Sequence, residues 1–150
     1  MKKLLIYMDS CCFNRPFDDL SNDKVRLESE AVITIFNHCD QGIWEYCSSD
    51  VLYDEIDRMD DLVKKTKILA LYNSAKVDIE ISAFIIARAN ELMKANIKPF
   101  DALHVASAES ENADIFLTTD KKLLNAAKRV KTSVRVSNPA IWIMEVLYND

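Results

Sequence analysis

Short apolar runs alternate with helical segments along this 150-residue chain, and this alternation constrains the fold more than any other feature. Five runs have the apolar, β-branched character of strands: residues 3–8, 44–49, 77–81, 115–119 and 134–137. The segments between and after them have helical periodicity: residues 23–40, 50–59, 62–75, 83–97, 99–110, 121–130 and 139–149. Strands that alternate with helices predict an α/β fold, in which helices flank both faces of a parallel sheet. We therefore expect a single domain over residues 1–150, with about five strands in a three-layer sandwich.

The composition excludes several classes of protein. Gly42 is the one glycine in the chain, whereas a P-loop or a dinucleotide fingerprint needs several. The formal net charge is −5, so binding to nucleic acid would need a local basic patch or a metal ion. The four cysteines show no CxxC spacing and only two histidines accompany them, which disfavours a zinc site and favours reduced thiols.

The amino-terminal segment is interpreted as a strand. Its apolar run before Asp9 is about five residues long, shorter than the roughly 7 to 15 residues of a signal-peptide core. No apolar run approaches the roughly 18 residues of a membrane span. We expect a cytoplasmic protein that does not associate with membranes.

Two acidic residues follow predicted strands directly. Asp9 comes after the first strand and Asp120 after the run 115–119. Because functional sites of parallel sheets lie outside the carboxyl ends of the strands, both side chains are expected at that edge. Each could instead serve only as the N-cap of the following helix.

Two more acids lie on the apolar sides of predicted helices. Glu55 falls between Val51 and Met59 in the apolar stripe of the helix over 50–59. Asp101 lies in the first turn of the helix over 99–110, on the side of its apolar residues. A buried ion pair, or a position at the edge of the stripe with its tip in water, would also explain Glu55. Attraction to the helix dipole would explain an exposed Asp101. The helix over 50–59 directly follows a strand, and the helix over 99–110 follows the strand over 77–81 with one helix between them, so these acids can reach the same edge of the sheet.

Four carboxylates that meet at one edge need positive charge, because their mutual repulsion would otherwise force protonation or separation. A hard divalent cation such as Mg²⁺ or Mn²⁺ prefers oxygen ligands and is held by a few carboxylates. Such an ion activates water and neutralises charge on a phosphodiester. The sequence thus predicts a catalytic metal site formed by four residues: Asp9, Glu55, Asp101 and Asp120.

The segments "LLIYMDSCCFNRPFDD", "SSDVLYDEI" and "IKPFDALHVASAESENADIFLTTDKKLL" resemble, in order, the acidic motifs of PIN-domain nucleases. The resemblance covers about residues 3–125, and the VapC-type toxins of toxin–antitoxin pairs are similar proteins. It places the acids of the family on the same four positions. It implies a Mg²⁺- or Mn²⁺-dependent endoribonuclease that cuts RNA, often forms a homodimer and is often inhibited by an antitoxin protein. Ser10 and Cys11 stand where the family often has Thr followed by Asn or Ser.

Several neighbours of the acids are candidates for supporting roles. Ser10 and Thr118 have hydroxyls that could orient a carboxylate or a metal-bound water. His104 follows Asp101 by one helical turn and could be a general base or a hydrogen-bonded core histidine.

Basic and amide side chains near the acids are candidates for contacts to RNA. Asn14 and Arg15 lie in a predicted loop after Asp9, although Arg15 could instead pair with Asp18 or Asp19. Lys121 and Lys122 begin a basic stretch, residues 121–135, which could bind phosphates or be only a solvated helix face.

Other functions remain open on the same fold. A catalytically inactive PIN-like module could bind RNA or a partner protein without cutting. A receiver-type signalling domain would need an aspartate at the end of a middle strand, and the run 44–49 does not end in one.

Overall fold

A computed structural model describes residues 2–149, so the two terminal residues of the predicted domain lie outside the described range. One parallel sheet forms the centre of the fold, with strand order β3-β2-β1-β4-β5. Its strands are β1 (Leu4–Met8), β2 (Trp44–Ser49), β3 (Val77–Ile79), β4 (Ile115–Leu117) and β5 (Val136–Ser137). The predicted α/β class is confirmed, although four of the strands are shorter than their apolar runs.

The helices are α1 (Ser10–Asn14), α2 (Asp23–Asp40), α3 (Asp50–Asp57), α4 (Leu62–Asn73), α5 (Ala83–Met93), α6 (Pro99–Ser110), α7 (Lys121–Arg129) and α8 (Pro139–Tyr148). Polar side chains cap most amino termini; Asn22, for example, accepts a hydrogen bond from the Val25 amide at the start of α2. Within residues 2–149, none of these helices has the length and apolar character needed to cross a membrane.

The sheet separates two apolar cores. Leu5 and Tyr7 of β1 pack on one face with α5, α6 and α7. Ile6 and Met8 point to the other face, where α2, α4 and α8 cover them. Side chains alternate between the faces of a strand, so a continuous apolar run such as β1 requires helices on both sides. The result is the expected three-layer sandwich.

Two local features differ from the sequence-based expectation. Residues 10–14 form α1 and residues 15–17 a 3₁₀ turn, in a segment that was expected to be a loop. Helix α5 ends at Met93 rather than at residue 97, and Asn96 follows with a φ of +66°. Asparagine tolerates this left-handed conformation better than most residues. Pro99 also disfavours helical backbone at Lys98, which is extended with a ψ of 151°.

Candidate functional site

The carboxyl edge of the sheet gathers the ends of β1 and β4. Strand β1 has β2 on one side and β4 on the other, so the strand order switches at β1. The backbone amide of Asp9 donates to the Leu117 carbonyl at 3.2 Å and ties this residue to the end of β4. A switch point of this kind is where parallel α/β sheets form ligand sites.

Asp9 is an almost fully buried carboxylate, with 2% of its surface exposed. It caps α1, where its Oδ1 accepts a hydrogen bond from the Cys12 amide at 3.3 Å. Burial raises the pKa of Asp9 from 3.8 to about 6, against the lowering effect of His104, the Thr118 hydroxyl and the Cys12 amide. The negative charge of Asp101 adds to the rise.

Asp101 lies in the first turn of α6 and is half-buried. Burial raises the pKa of Asp101, and the charges of Asp120 and Glu55 raise it further, whereas His104 and Lys98 lower it. Asp101 therefore interacts electrostatically with each of the other three predicted acids, which places all four near one edge of the sheet.

The thiol of Cys11 lies among these acids. Burial and the charges of Asp9, Asp120 and Asp101 together raise its pKa to about 12. A neutral thiol is a poor metal ligand and a weak nucleophile. The carboxylates, rather than this cysteine, therefore determine the chemistry of the site.

A buried hydrogen-bonded chain holds Glu55. Nε2 of His104 is in a short contact with Oε1 of Glu55, and Nδ1 of His104 lies 2.6 Å from the Tyr7 hydroxyl. That hydroxyl lies 2.8 Å from Oγ of Ser49. Nε2–H of His104 can donate to Glu55, and the direction of the hydrogen bonds that join Nδ1, Tyr7 and Ser49 depends on the tautomer of the imidazole. His104 is thus a hydrogen-bonded core histidine, whose partner Glu55 lies 49 positions away in sequence.

Thr118 and Asp120 form a second connected pair. Thr118 is fully buried, and its Oγ1 accepts from the Asp120 amide at 3.0 Å. Asp120 caps α7 and accepts from the Lys122 amide at 2.9 Å. The N-cap roles of Asp9 and Asp120 therefore coexist with their place in the acidic cluster.

The other predicted residues make local hydrogen bonds, form salt bridges or face solvent. Ser10 begins α1, and its carbonyl accepts from Nδ2 of Asn14 at 2.8 Å. The guanidinium of Arg15 pairs with Asp18 and with Glu28, each at 2.9 Å, which is the salt-bridge alternative for this residue. Both Lys121 and Lys122, at the start of α7, are exposed to solvent.

The donor chemistry of the cluster fits a hard divalent cation, because every donor is a carboxylate oxygen. Glu55 is paired with His104 and Asp120 caps a helix, so both of these carboxylates already have hydrogen-bond partners within the protein. Among residues 2–149, no group of three His, Cys, Asp or Glu side chains is close enough to form a complete cage. Mg²⁺ often takes only one or two carboxylates and keeps water or substrate phosphate as its other ligands. Asp9 and Asp101 can supply that number.

The chain matches a known protein family over most of its length. A sequence model of the PIN domain matches residues 6–129, which is most of the chain. The chain belongs to the PIN domain family. The predicted resemblance to PIN-domain nucleases is therefore confirmed at the level of the family. PIN domains are generally nucleases and generally use divalent metals.

Solved structures give the same fold. VapBC2 from Rickettsia felis, bound to a DNA fragment from its promoter, aligns with a TM-score of 0.58 at 18% identity and covers 89% of this chain and 98% of that one. PAE2754 from Pyrobaculum aerophilum aligns with a TM-score of 0.58 at 12% identity and covers 97% and 90% of the two chains. A search of curated proteins gives no significant match.

Proposed function

We propose that this PIN domain is a Mg²⁺- or Mn²⁺-dependent endoribonuclease. Its catalytic and metal-binding set consists of four carboxylates: Asp9, Glu55, Asp101 and Asp120. The observation that carries the proposal is their mutual electrostatic influence at the β1 switch point, where burial and like charge raise the pKa values of Asp9 and Asp101. Neighbouring carboxylates bind a divalent ion favourably, because the ion offsets their repulsion.

Each part of the site has a distinct task in this proposal. When bound, the ion supplies a polarised water as nucleophile and offsets charge on the phosphodiester. Asp9 and Asp101 hold the ion. Glu55 is fixed by His104 and orients the attacking water. Thr118 holds the backbone of Asp120, so that this fourth carboxylate stays at the site.

In this proposal the leaving 3′-oxygen takes its proton from solvent. Attack by water on phosphorus leaves products with a 5′-phosphate and a 3′-hydroxyl. The ends of the products therefore report the mechanism. Recovery of 2′,3′-cyclic phosphate ends would show that the RNA 2′-hydroxyl is the nucleophile and would refute this reaction.

Cleavage of a labelled single-stranded RNA by the pure protein tests the proposal. We expect cutting with Mg²⁺ or Mn²⁺, none with EDTA, and a loss of at least about a hundredfold in Asp101→Asn. The exposed Asp60 provides a matched control, and Asp60→Asn should cut like the wild type.

A catalytically inactive binding module is the second candidate, because the described residues include no complete cage of three ligands. That function would lead if the wild type bound RNA and neither it nor Asp101→Asn cut it in any divalent metal. Equal activity in the two proteins would show that any cutting does not depend on the carboxylate site.

We further propose that the protein is the toxin of a toxin–antitoxin pair and forms a homodimer. The similarity in fold to VapBC2 supports an antitoxin partner. Exposed apolar side chains on α8, namely Ile141, Met144 and Leu147, support contact with a second protein surface. Light scattering tests the homodimer, and a monomeric mass at micromolar concentration would contradict it. Growth arrest by the wild type but not by Asp101→Asn tests toxicity.

A further inference from the structure

A cavity of about 330 Å³ opens beside Asp101, between the α5–α6 connection and α7. Its floor is apolar and consists of the buried side chains of Ile97, Leu123 and Ala126. We call this cavity the α7 pocket. Its volume lies within the range of about 300 to 1,000 Å³ that is typical of sites for small ligands. Asp101 belongs both to this pocket and to the acidic cluster, so whatever occupies the pocket lies next to the carboxylate site.

The rim of the α7 pocket is positively charged, although the whole chain carries a net charge of −5. Lys98, Lys122 and Arg129 line the rim and are exposed to solvent. Within residues 2–149, none of these three side chains forms a salt bridge, whereas Arg15 and Arg88 are both paired with acids. Of the described lining residues, Asp101 alone is acidic. Three cations without acidic partners around a pocket suit an anionic ligand such as a phosphate.

Two side-chain amides complete the wall. Asn96 and Asn125 both line the pocket and are exposed at its mouth. An amide both donates and accepts hydrogen bonds, as do the edges of a nucleobase. An apolar floor, amides on the walls and cations at the rim together match a base with its attached phosphate.

We propose that the α7 pocket seats the nucleotide next to the scissile phosphate of a single-stranded RNA, with its base on the apolar floor and a backbone phosphate at Lys98 and Arg129. This inference rests on the proposed function, because it assigns a subsite to the same active site. A base stacked inside an A-form duplex cannot enter such a pocket, so the pocket selects unpaired RNA. Contacts from Asn96 and Asn125 to the base edge would then set a sequence preference at that position.

The test measures the affinity of the full chain for a fluorescent single-stranded RNA by anisotropy, in EDTA so that no cutting occurs. The double variant Lys98→Ala/Arg129→Ala should weaken binding by about tenfold or more, because two phosphate contacts are lost. The matched control Lys24→Ala/Lys94→Ala removes the same charge from exposed positions outside the pocket, and should change affinity by less than about twofold.

A second pair of variants tests the seat of the base without altering charge. Asn125→Trp fills the pocket and should weaken binding, whereas Asn90→Trp, at an exposed helical position outside the pocket, should not. In a set of RNAs that each carry one abasic site at a different position, one RNA should bind the wild type more weakly than the intact strand does. Asn125→Trp should bind that abasic RNA and the intact RNA with equal affinity.

The outcomes separate the pocket from the proposed function. If the wild type cuts RNA but the pocket variants bind as tightly as their controls, the pocket is refuted and the nuclease stands. If the wild type binds but never cuts, and only the pocket variants bind weakly, the nuclease is refuted and the nucleotide seat stands. Equal affinity for a duplex would refute the seating of a base. No binding to RNA in EDTA, together with no cutting in Mg²⁺ or Mn²⁺, would refute both inferences.

Discussion

Replacing the buried carboxylate of Asp9 by an amide should stabilise the metal-free protein at neutral pH. Asp9 is 2% exposed, and its burial raises the pKa from 3.8 to about 6. In Asp9→Asn the amide oxygen can still accept from the Cys12 amide, so the N-cap of α1 is kept. The substitution therefore removes a buried charge with little other change.

The pKa shift fixes both the sign and the size of the effect. Between about pH 4 and pH 6 the folded protein keeps the proton on Asp9, whereas the unfolded chain has lost it. Unfolding then releases a proton, so the free energy of unfolding falls as the pH rises through this window. A rise from 3.8 to about 6 corresponds to about 3 kcal/mol at roughly 1.4 kcal/mol per pH unit. The loss is nearly complete at about pH 7, roughly one pH unit above the pKa of Asp9 in the folded protein.

Urea unfolding in EDTA at several pH values measures this effect. Wild type and Asp9→Asn should have similar stabilities at pH 4, and the variant should be more stable at pH 7.5, by up to about 3 kcal/mol. Asp60→Asn, at an exposed position, should follow the wild type throughout. Mg²⁺ should then stabilise the wild type but not Asp9→Asn, because only the wild type keeps the proposed ligand. A variant less stable than the wild type at pH 7.5 would refute the reasoning, since the ionised carboxylate would then be stabilised by its surroundings.

Two further substitutions test buried polar networks by urea unfolding. His104→Ala removes the common partner of Tyr7 and Glu55 and should lower the free energy of unfolding by about 2–4 kcal/mol. The control His38→Ala, at a half-buried position, should lower it by less. Equal losses in the two variants would contradict a stabilising role for the Tyr7–His104–Glu55 hydrogen bonds. Glu28→Ala leaves Arg15 and Asn138 without their buried carboxylate and should also cost about 2–4 kcal/mol. The control Glu30→Ala, at an exposed position on the same helix, should change the free energy of unfolding by no more than about 0.5 kcal/mol. A similarly small loss in Glu28→Ala would show that the buried Glu28 network adds little to stability.

The regular elements were predictable because their signals are local. Helix α2 was predicted over residues 23–40 and has those bounds. Its 18 residues show a clear helical periodicity, and the Asn22 cap marks where the helix begins. In contrast, α1 has only five residues and depends on the Asp9 cap and on packing of Phe13 in the core. So short a helix has little periodicity to detect, and tertiary contacts stabilise it.

The acidic cluster was predictable in its members but not in its contacts. Asp9 and Asp120 follow strands of one parallel sheet, so topology alone brings them to the same edge. The pairing of Glu55 with His104 joins α3 to α6, and no pattern within either helix indicates it. The contact of Arg15 with Glu28 was missed for the same reason, because only Asp18 and Asp19 were close in sequence.

The sequence by itself thus determined the order of strands and helices, the parallel sheet and the four acids, because these follow from local periodicity and from the rule that strand ends share an edge. Only the tertiary structure decided which groups touch. It placed His104 against Glu55 and buried Asp9 deeply enough to raise its pKa. It also formed the α7 pocket, whose walls come from residues 96–101 and from α7. Such contacts depend on how distant elements pack, and that information is not present in any short stretch of the chain.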